Sequence, residues 1–219
     1  MTALPEPQFI TRAEYLALEE VATEKHEYFN GQIFALGSGT PLHADVTAMA
    51  GGTPRHADII ANVSGSFFGA LRGHSCRPSS SDQRVHIEAT GLDTYPDFII
   101  KCPPERYAPD DKNALCNPAL VVEVLSPSTA SFDRGDKFLH YAQIPELNDY
   151  ILVSQDRVHV EHFSRDGNNW LLRRYFLRKD VMKLDSLAIE IPIAEIYDGI
   201  EVPDGLLILH SPPEKSTPE

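Results

Sequence analysis

Two acidic residues offer the plainest chemistry in this sequence. Asp97 opens the run Phe98-Ile99-Ile100, and Glu123 closes the run Leu120-Val121-Val122. Each run is continuously apolar, as expected for strands covered on both faces. A carboxylate beside such a strand is rarely buried unless it is paired or bound to a metal. If the two strands are neighbours, the side chains converge at one point. Two like charges there repel, and one of them protonates unless a cation neutralises the pair. Oxygen donors of this kind suit a hard divalent ion, Mg²⁺ or Mn²⁺. The simpler reading leaves each carboxylate in water at the end of its strand.

The elements that must position these groups can be read from periodicity and turn chemistry. Thr11-Arg12-Ala13-Glu14 matches a capping box and predicts a short helix to about residue 22. Residues 25–36 read as a hairpin, with Tyr28-Phe29 and Ile33-Phe34 flanking the type I′ turn signal Asn30-Gly31. Thr53 as N-cap and Pro54 at the first position start a longer helix, with Ile59, Ile60, Val63, Phe67, Phe68 and Leu71 at helical spacing. Its start nearly repeats an upstream segment, residues 39–45, which reads as a local duplication in a loop. Strands are predicted over residues 83–88, 95–101, 119–125 and 149–154. The polar, proline-rich stretch 102–117 reads as a loop or flap. A helix over 131–143 between the last two strands implies a parallel crossover. Residues 157–163 and 169–176 form a hairpin pattern around Asp166-Gly167, followed by a strand at 187–191 and a short helix at 192–197. Residues 1–8 read as a frayed start and 204–219 as a disordered tail, leaving 9–203 as a single α/β domain.

Composition bounds the function. A formal net charge of −13 over 219 residues argues against a general nucleic-acid-coating role, yet leaves room for an enzyme that grips a few phosphates. The three cysteines form no CxxC pattern, so a cysteine zinc site is not expected. Their odd number, with no signal-peptide pattern at the N-terminus, fits a reducing cytoplasm. No apolar run approaches the roughly 20 residues of a membrane helix, so no membrane partner is expected. The cluster His159-Val160-Glu161-His162 splits across two faces of a strand and makes a poor metal site. Arg173-Arg174 falls on opposite faces in the same way and reads as solvated surface.

Tyr95-Pro96-Asp97, then Glu123-Val124-Leu125-Ser126-Pro127-Ser128-Thr129, then Asp133-Arg134-Gly135-Asp136-Lys137 with Tyr141 resemble the Uma2 (DUF820) family of restriction-endonuclease-like proteins, part of the PD-(D/E)XK nuclease superfamily. The likeness runs from about residue 11 to 197. Glu27, Asn30-Gly31, His56 and residues 81–85 also fit the family pattern. The resemblance implies a restriction-endonuclease-like core, a mixed central β-sheet flanked by helices, and metal-dependent hydrolysis of DNA phosphodiester bonds. Asp97 and Glu123 would then be the metal-binding acids. The pattern places a lysine two residues after Glu123, where this chain has Leu125, so Lys137 on the following helix is expected to supply the charge, with Arg134 as second choice. Glu27 is assigned as a third metal ligand. Asp82 and His56 are accessory candidates, each with a structural alternative: a strand-edge group for Asp82, a core or capping group for His56. A homodimer is expected by analogy with nucleases that cut two strands. The competing reading is a catalytically inactive nuclease-fold binding or interaction protein.

Overall fold

A computed structural model describes residues 9–35, 53–126 and 129–205. The expected frayed start, the upstream copy at 39–45 and the tail beyond residue 205 lie outside the described residues.

Local sequence sets the first elements. Helix α1 (Arg12–Glu19) begins at the capping box, where Thr11 Oγ1 accepts from the Glu14 amide and Glu14 Oε2 accepts from the Thr11 amide at 2.7 Å. Strands β1 (His26–Phe29) and β2 (Gln32–Ala35) form the hairpin. Asn30 and Gly31 turn it at φ 48° and 80°, the positive pair a type I′ turn requires. Helix α2 (Pro54–Ala70) starts under a Thr53 side chain that accepts from the His56 amide, and it buries Ile59, Val63 and Phe67 at helical spacing.

The middle of the chain is strand-rich: β3 (Arg77–Ser80), β4 (Arg84–Ile87), β5 (Leu92–Thr94), β6 (Phe98–Lys101), β7 (Tyr107–Ala108), β8 (Asp111–Leu115) and β9 (Pro118–Leu125). Helices α3 (Ala130–Arg134) and α4 (Asp136–Tyr141) lead to β10 (Asp149–Ser154), β11 (Val160–Asp166), β12 (Asn169–Tyr175), the ribbon β13 (Val181–Leu184) and β14 (Ile189–Pro192), and α5 (Ile193–Ile196).

The expected mixed sheet runs β12-β11-β10-β9-β6-β3. β9 and β10 pair in parallel through the α3–α4 crossover, and the other neighbours are antiparallel. Both faces are covered. On one, Phe98, Ile100, Val122 and Val124 pack against α2, α5 and the β13–β14 ribbon. On the other, Ile99, Val121, Leu125 and Leu152 pack against Tyr141 of α4 and against Val85, Ile87, Leu92 and Leu115 of a second sheet, β2-β1-β5-β4-β8-β7.

The structure corrects the sequence reading at several places. The stretch 102–117 is not a plain loop: β7 and β8 return within it and extend the second sheet. The helix expected over 131–143 is broken at Gly135 (φ −105°, ψ −102°) into α3 and α4. Strand β6 begins at Phe98, three residues later than predicted. Cys76 and Cys102 are joined by a disulfide beside the β3–β6 pairing, which their separation in sequence conceals; Cys116 is buried and free. Among the described residues no helix is long and apolar enough to cross a membrane.

Candidate active site

Strand register brings the two acids together. β6 and β9 are antiparallel neighbours with Phe98 opposite Val122, so one step further along places Asp97 opposite Glu123. The pairing continues through side chains. The Asp97 amide donates to Glu123 Oε2 at 3.4 Å, and the Val124 amide donates to Asp97 Oδ2 at 2.7 Å. His56, on the first turn of α2, sets Nε2 3.2 Å from the same Asp97 oxygen. The Thr53 cap fixes that turn in place, because Thr53 Oγ1 also donates to Gln155 Oε1 at 2.7 Å while Gln155 Nε2 donates to the Leu125 carbonyl at 2.8 Å.

The crossover helix supplies the charge. Lys137 and Tyr141 lie one helical turn apart on α4 and both reach Glu123 Oε1, the ammonium at 2.9 Å and the phenol at 3.1 Å. Lys137 Nζ also lies 3.4 Å from Glu27 Oε1 and 3.7 Å from Asp133 Oδ1. Glu27 Oε1 accepts in addition from the Thr94 hydroxyl. Three carboxylates thus surround one buried ammonium. Leu125 is buried in the apolar core, so the position two residues after Glu123 carries no charge.

Burial and crowding shape the electrostatics. Burial pushes the Glu123 carboxyl up to about 8; Lys137 opposes the rise, and the Asp97 and Asp133 charges add to it. Burial likewise raises Asp133 against the pull of Lys137. Burial alone would lower Lys137, but the surrounding carboxylates, Glu123 foremost, hold it charged well above its usual value. For His56 burial also favours the neutral ring, and the bond and charge of Asp97 outweigh it, so its pKa is raised.

The sequence candidates divide. Asp97, Glu123, Lys137, Glu27 and His56 come together. Asp82 does not: it sits on an exposed turn, paired with Lys25 at 2.5 Å. Nor does Arg134, whose Nε points away to Glu161 at 2.6 Å. Glu27 faces Lys137 and Thr94, and among the described residues no group of three or more His, Cys, Asp or Glu side chains is disposed to hold a metal ion. Sequence reasoning missed Asp133, Tyr141 and Thr94 as members of the cluster. Asp133 and Tyr141 flank Lys137 at four residues on either side, a helical spacing that carries the signal. Thr94 carries none, since only the folded second sheet brings it to Glu27.

The donor chemistry fits a hard cation. Asp97 and Glu123 offer carboxylate oxygens side by side, and Mg²⁺ is commonly held by one or two carboxylates with water and substrate phosphate filling the rest of its shell. A buried carboxyl pushed upward beside a second one is also a place where added positive charge is favourable.

Fold and geometry together define a restriction-endonuclease-like α/β protein, with an acidic pair on adjacent central strands and a lysine delivered by the crossover helix. The chain belongs to the Uma2 family, described as "Putative restriction endonuclease", whose model matches residues 12–194. It is 38% identical over 190 residues to the uncharacterized protein slr1290 of Synechocystis sp., covering 85% of this chain and 90% of the relative. A second Synechocystis protein, the uncharacterized sll1609, is 32% identical over 173 residues, or 78% and 90% of the two chains. The crystal structure of a "putative nuclease belonging to DUF820" from Anabaena variabilis superposes with a TM-score of 0.63 at 16% identity, covering 88% of this chain and 99% of that one, a likeness of fold. Family and fold point to a nuclease of the restriction-endonuclease-like kind.

Proposed function

We propose that this protein is an endonuclease that hydrolyses phosphodiester bonds of DNA with Mg²⁺ or Mn²⁺. The observation that carries the reading is the meeting of Asp97, Glu123 and Lys137, from the residue before β6, from β9 and from α4, with the lysine ammonium 2.9 Å from Glu123. Asp97 and Glu123 would hold the ion, which when bound would supply Lewis acidity toward the phosphate and a water of lowered pKa. Lys137 offsets negative charge that builds on the non-bridging phosphate oxygens, the role the absent lysine at position 125 would have had. Tyr141 orients Glu123, and His56 holds Asp97 Oδ2, the oxygen that also accepts from the Val124 amide. Glu27 keeps Lys137 aimed at Glu123 through Oε1, the oxygen that also accepts from Thr94, and as a third metal ligand it would offer Oε2. Cutting both strands of a duplex takes two such sites, and a homodimer supplies them.

The competing reading, a binding module without catalysis, draws on Leu125 and on the commitment of Lys137 to three carboxylates. Nicking of supercoiled plasmid decides between them. Wild-type protein is expected to nick in Mg²⁺ or Mn²⁺ and to lose activity in EDTA, with Asp97→Ala slower by on the order of 10²-fold or more. Equal nicking by wild type and D97A removes the site assignment. DNA retention with no nicking in either metal favours the binding module.

A further inference from the structure

A second charged cluster lies beside the candidate site. Glu161 on β11 is buried, with 7% of its side chain exposed, yet it holds two arginines from different elements. Its Oε2 accepts from Arg134 Nε of α3 at 2.6 Å, and its Oε1 accepts from Arg174 Nε of β12 at 3.2 Å. Each guanidinium is gripped through Nε, which leaves the Nη ends of the fork outward, with side-chain exposures of 39% and 50%. Arg134 Nη1 donates weakly to the Ala130 carbonyl at 3.4 Å. Among the described residues, Arg134 Nη2 and both Nη atoms of Arg174 have no hydrogen-bond partner. Neighbouring His159, 3.9 Å from Glu161, has its pKa lowered by burial and so adds little positive charge of its own.

One buried carboxylate is neutralised by one cation. The second guanidinium is surplus, and it stands exposed on a chain of net charge −13. Two planar forks held in fixed orientation with free donors match the tetrahedral oxygens of a phosphate.

Strand register places the cluster relative to the acids. Glu123 pairs with Leu152, Leu152 with Glu161, and Glu161 with Arg174, so the four residues form one row across β9, β10, β11 and β12 on one face of the sheet. Three strand spacings put Arg174 about 14 Å from Glu123. Helix α3 bridges the same gap: Asp133 reaches Lys137, and the next residue, Arg134, reaches Glu161.

We infer that Arg134 and Arg174, pinned by Glu161, form a clamp for a DNA backbone phosphate flanking the one at Asp97 and Glu123. The clamp sets the position of the duplex on the protein and reads no base. It rests on the nuclease reading above.

The test is fluorescence anisotropy of the full chain with a labelled DNA duplex in EDTA, where no cleavage occurs, titrated between about 50 and 200 mM salt. Wild type is compared with R134Q/R174Q, R174Q and R174K. Each arginine replaced by glutamine is expected to lower the slope of log Kobs against log salt by about 1 and to weaken binding roughly fivefold, alike for unrelated duplex sequences. R174K keeps the slope and loses part of the affinity, since charge remains and the fork does not. A merely structural ion pair would shift the unfolding midpoint and leave the salt slope alone. If R134Q/R174Q does not fold, R174Q carries the test, because Arg134 still neutralises Glu161 there. Wild-type binding with an unchanged slope in folded R174Q overturns the clamp and leaves the nuclease reading standing. Failure of wild type to bind duplex, together with failure to nick it, overturns both.

Discussion

Lys137 balances three carboxylates at once. Its ammonium sits against Glu123, Glu27 and Asp133 with little access to water. Removing one partner from such a buried set leaves charges unpaired, which typically costs about 3–5 kcal/mol. Lys137→Met should therefore lower the unfolding free energy, read from urea denaturation, by an amount of that order and abolish nicking. A K137M protein as stable as wild type would mean that the three acids are protonated or solvated without it. Much of this cluster was legible in sequence, since Asp97 and Glu123 sit beside apolar runs and Lys137 lies in the crossover helix. Like Asp82, Arg134 was a misleading residue. It neighbours Asp133 in sequence, but a helix turns adjacent side chains about 100° apart, and Arg134 leaves toward Glu161.

At the scale of elements, the break at Gly135 sets how the crossover meets the sheet. A Cβ there would lie 3.1 Å from the Ser131 carbonyl oxygen, so any side chain presses on the last turn of α3. Gly135→Ala should destabilise the fold by about 1–2 kcal/mol and reduce nicking, because the shift is passed to Asp133 and Lys137 on either side. Denaturation and initial rates measured together check this, and an alanine variant matching wild type in both would show that the two helices can fuse without moving Lys137. The apolar periodicity of residues 131–143 announced a helix there and gave no sign of the break, since glycine is tolerated inside helices and interrupts them only when packing on both sides demands it. The short strands β3, β5, β7 and β13 were invisible for a related reason. With two to four residues each, they are too brief for an alternating pattern to stand out.

For the molecule as a whole, the second sheet is anchored to α1 by Asp93, whose side chain is fully buried. Arg12 holds it with two bonds, Nε to Oδ2 at 2.6 Å and Nη2 to Oδ1 at 2.8 Å, and His86 adds a third contact at 3.1 Å. Burial alone would raise the Asp93 pKa, and the Arg12 and His86 interactions outweigh it, so the folded value is lowered. A carboxyl with a lowered folded pKa contributes stability that is present above its unfolded value, near 3.9, and is lost as pH falls through the folded value. Urea midpoints followed downward from about pH 6 should fall below about pH 4, and Asp93→Asn should be less stable at neutral pH with a flatter acid limb. An unchanged acid limb in D93N would assign the loss to other carboxylates.

Residue chemistry and local periodicity are properties of short stretches, so the sequence by itself determined the acidic pair, the capping box, the Asn30-Gly31 turn, the parallel crossover and the family. The tertiary structure decided which strands are neighbours and in what register. That choice set Asp97 opposite Glu123, joined Cys76 to Cys102, brought Thr94 to Glu27 and aligned Glu123 with Arg174. Such pairings depend on packing between segments far apart in the chain, and a local pattern does not encode them.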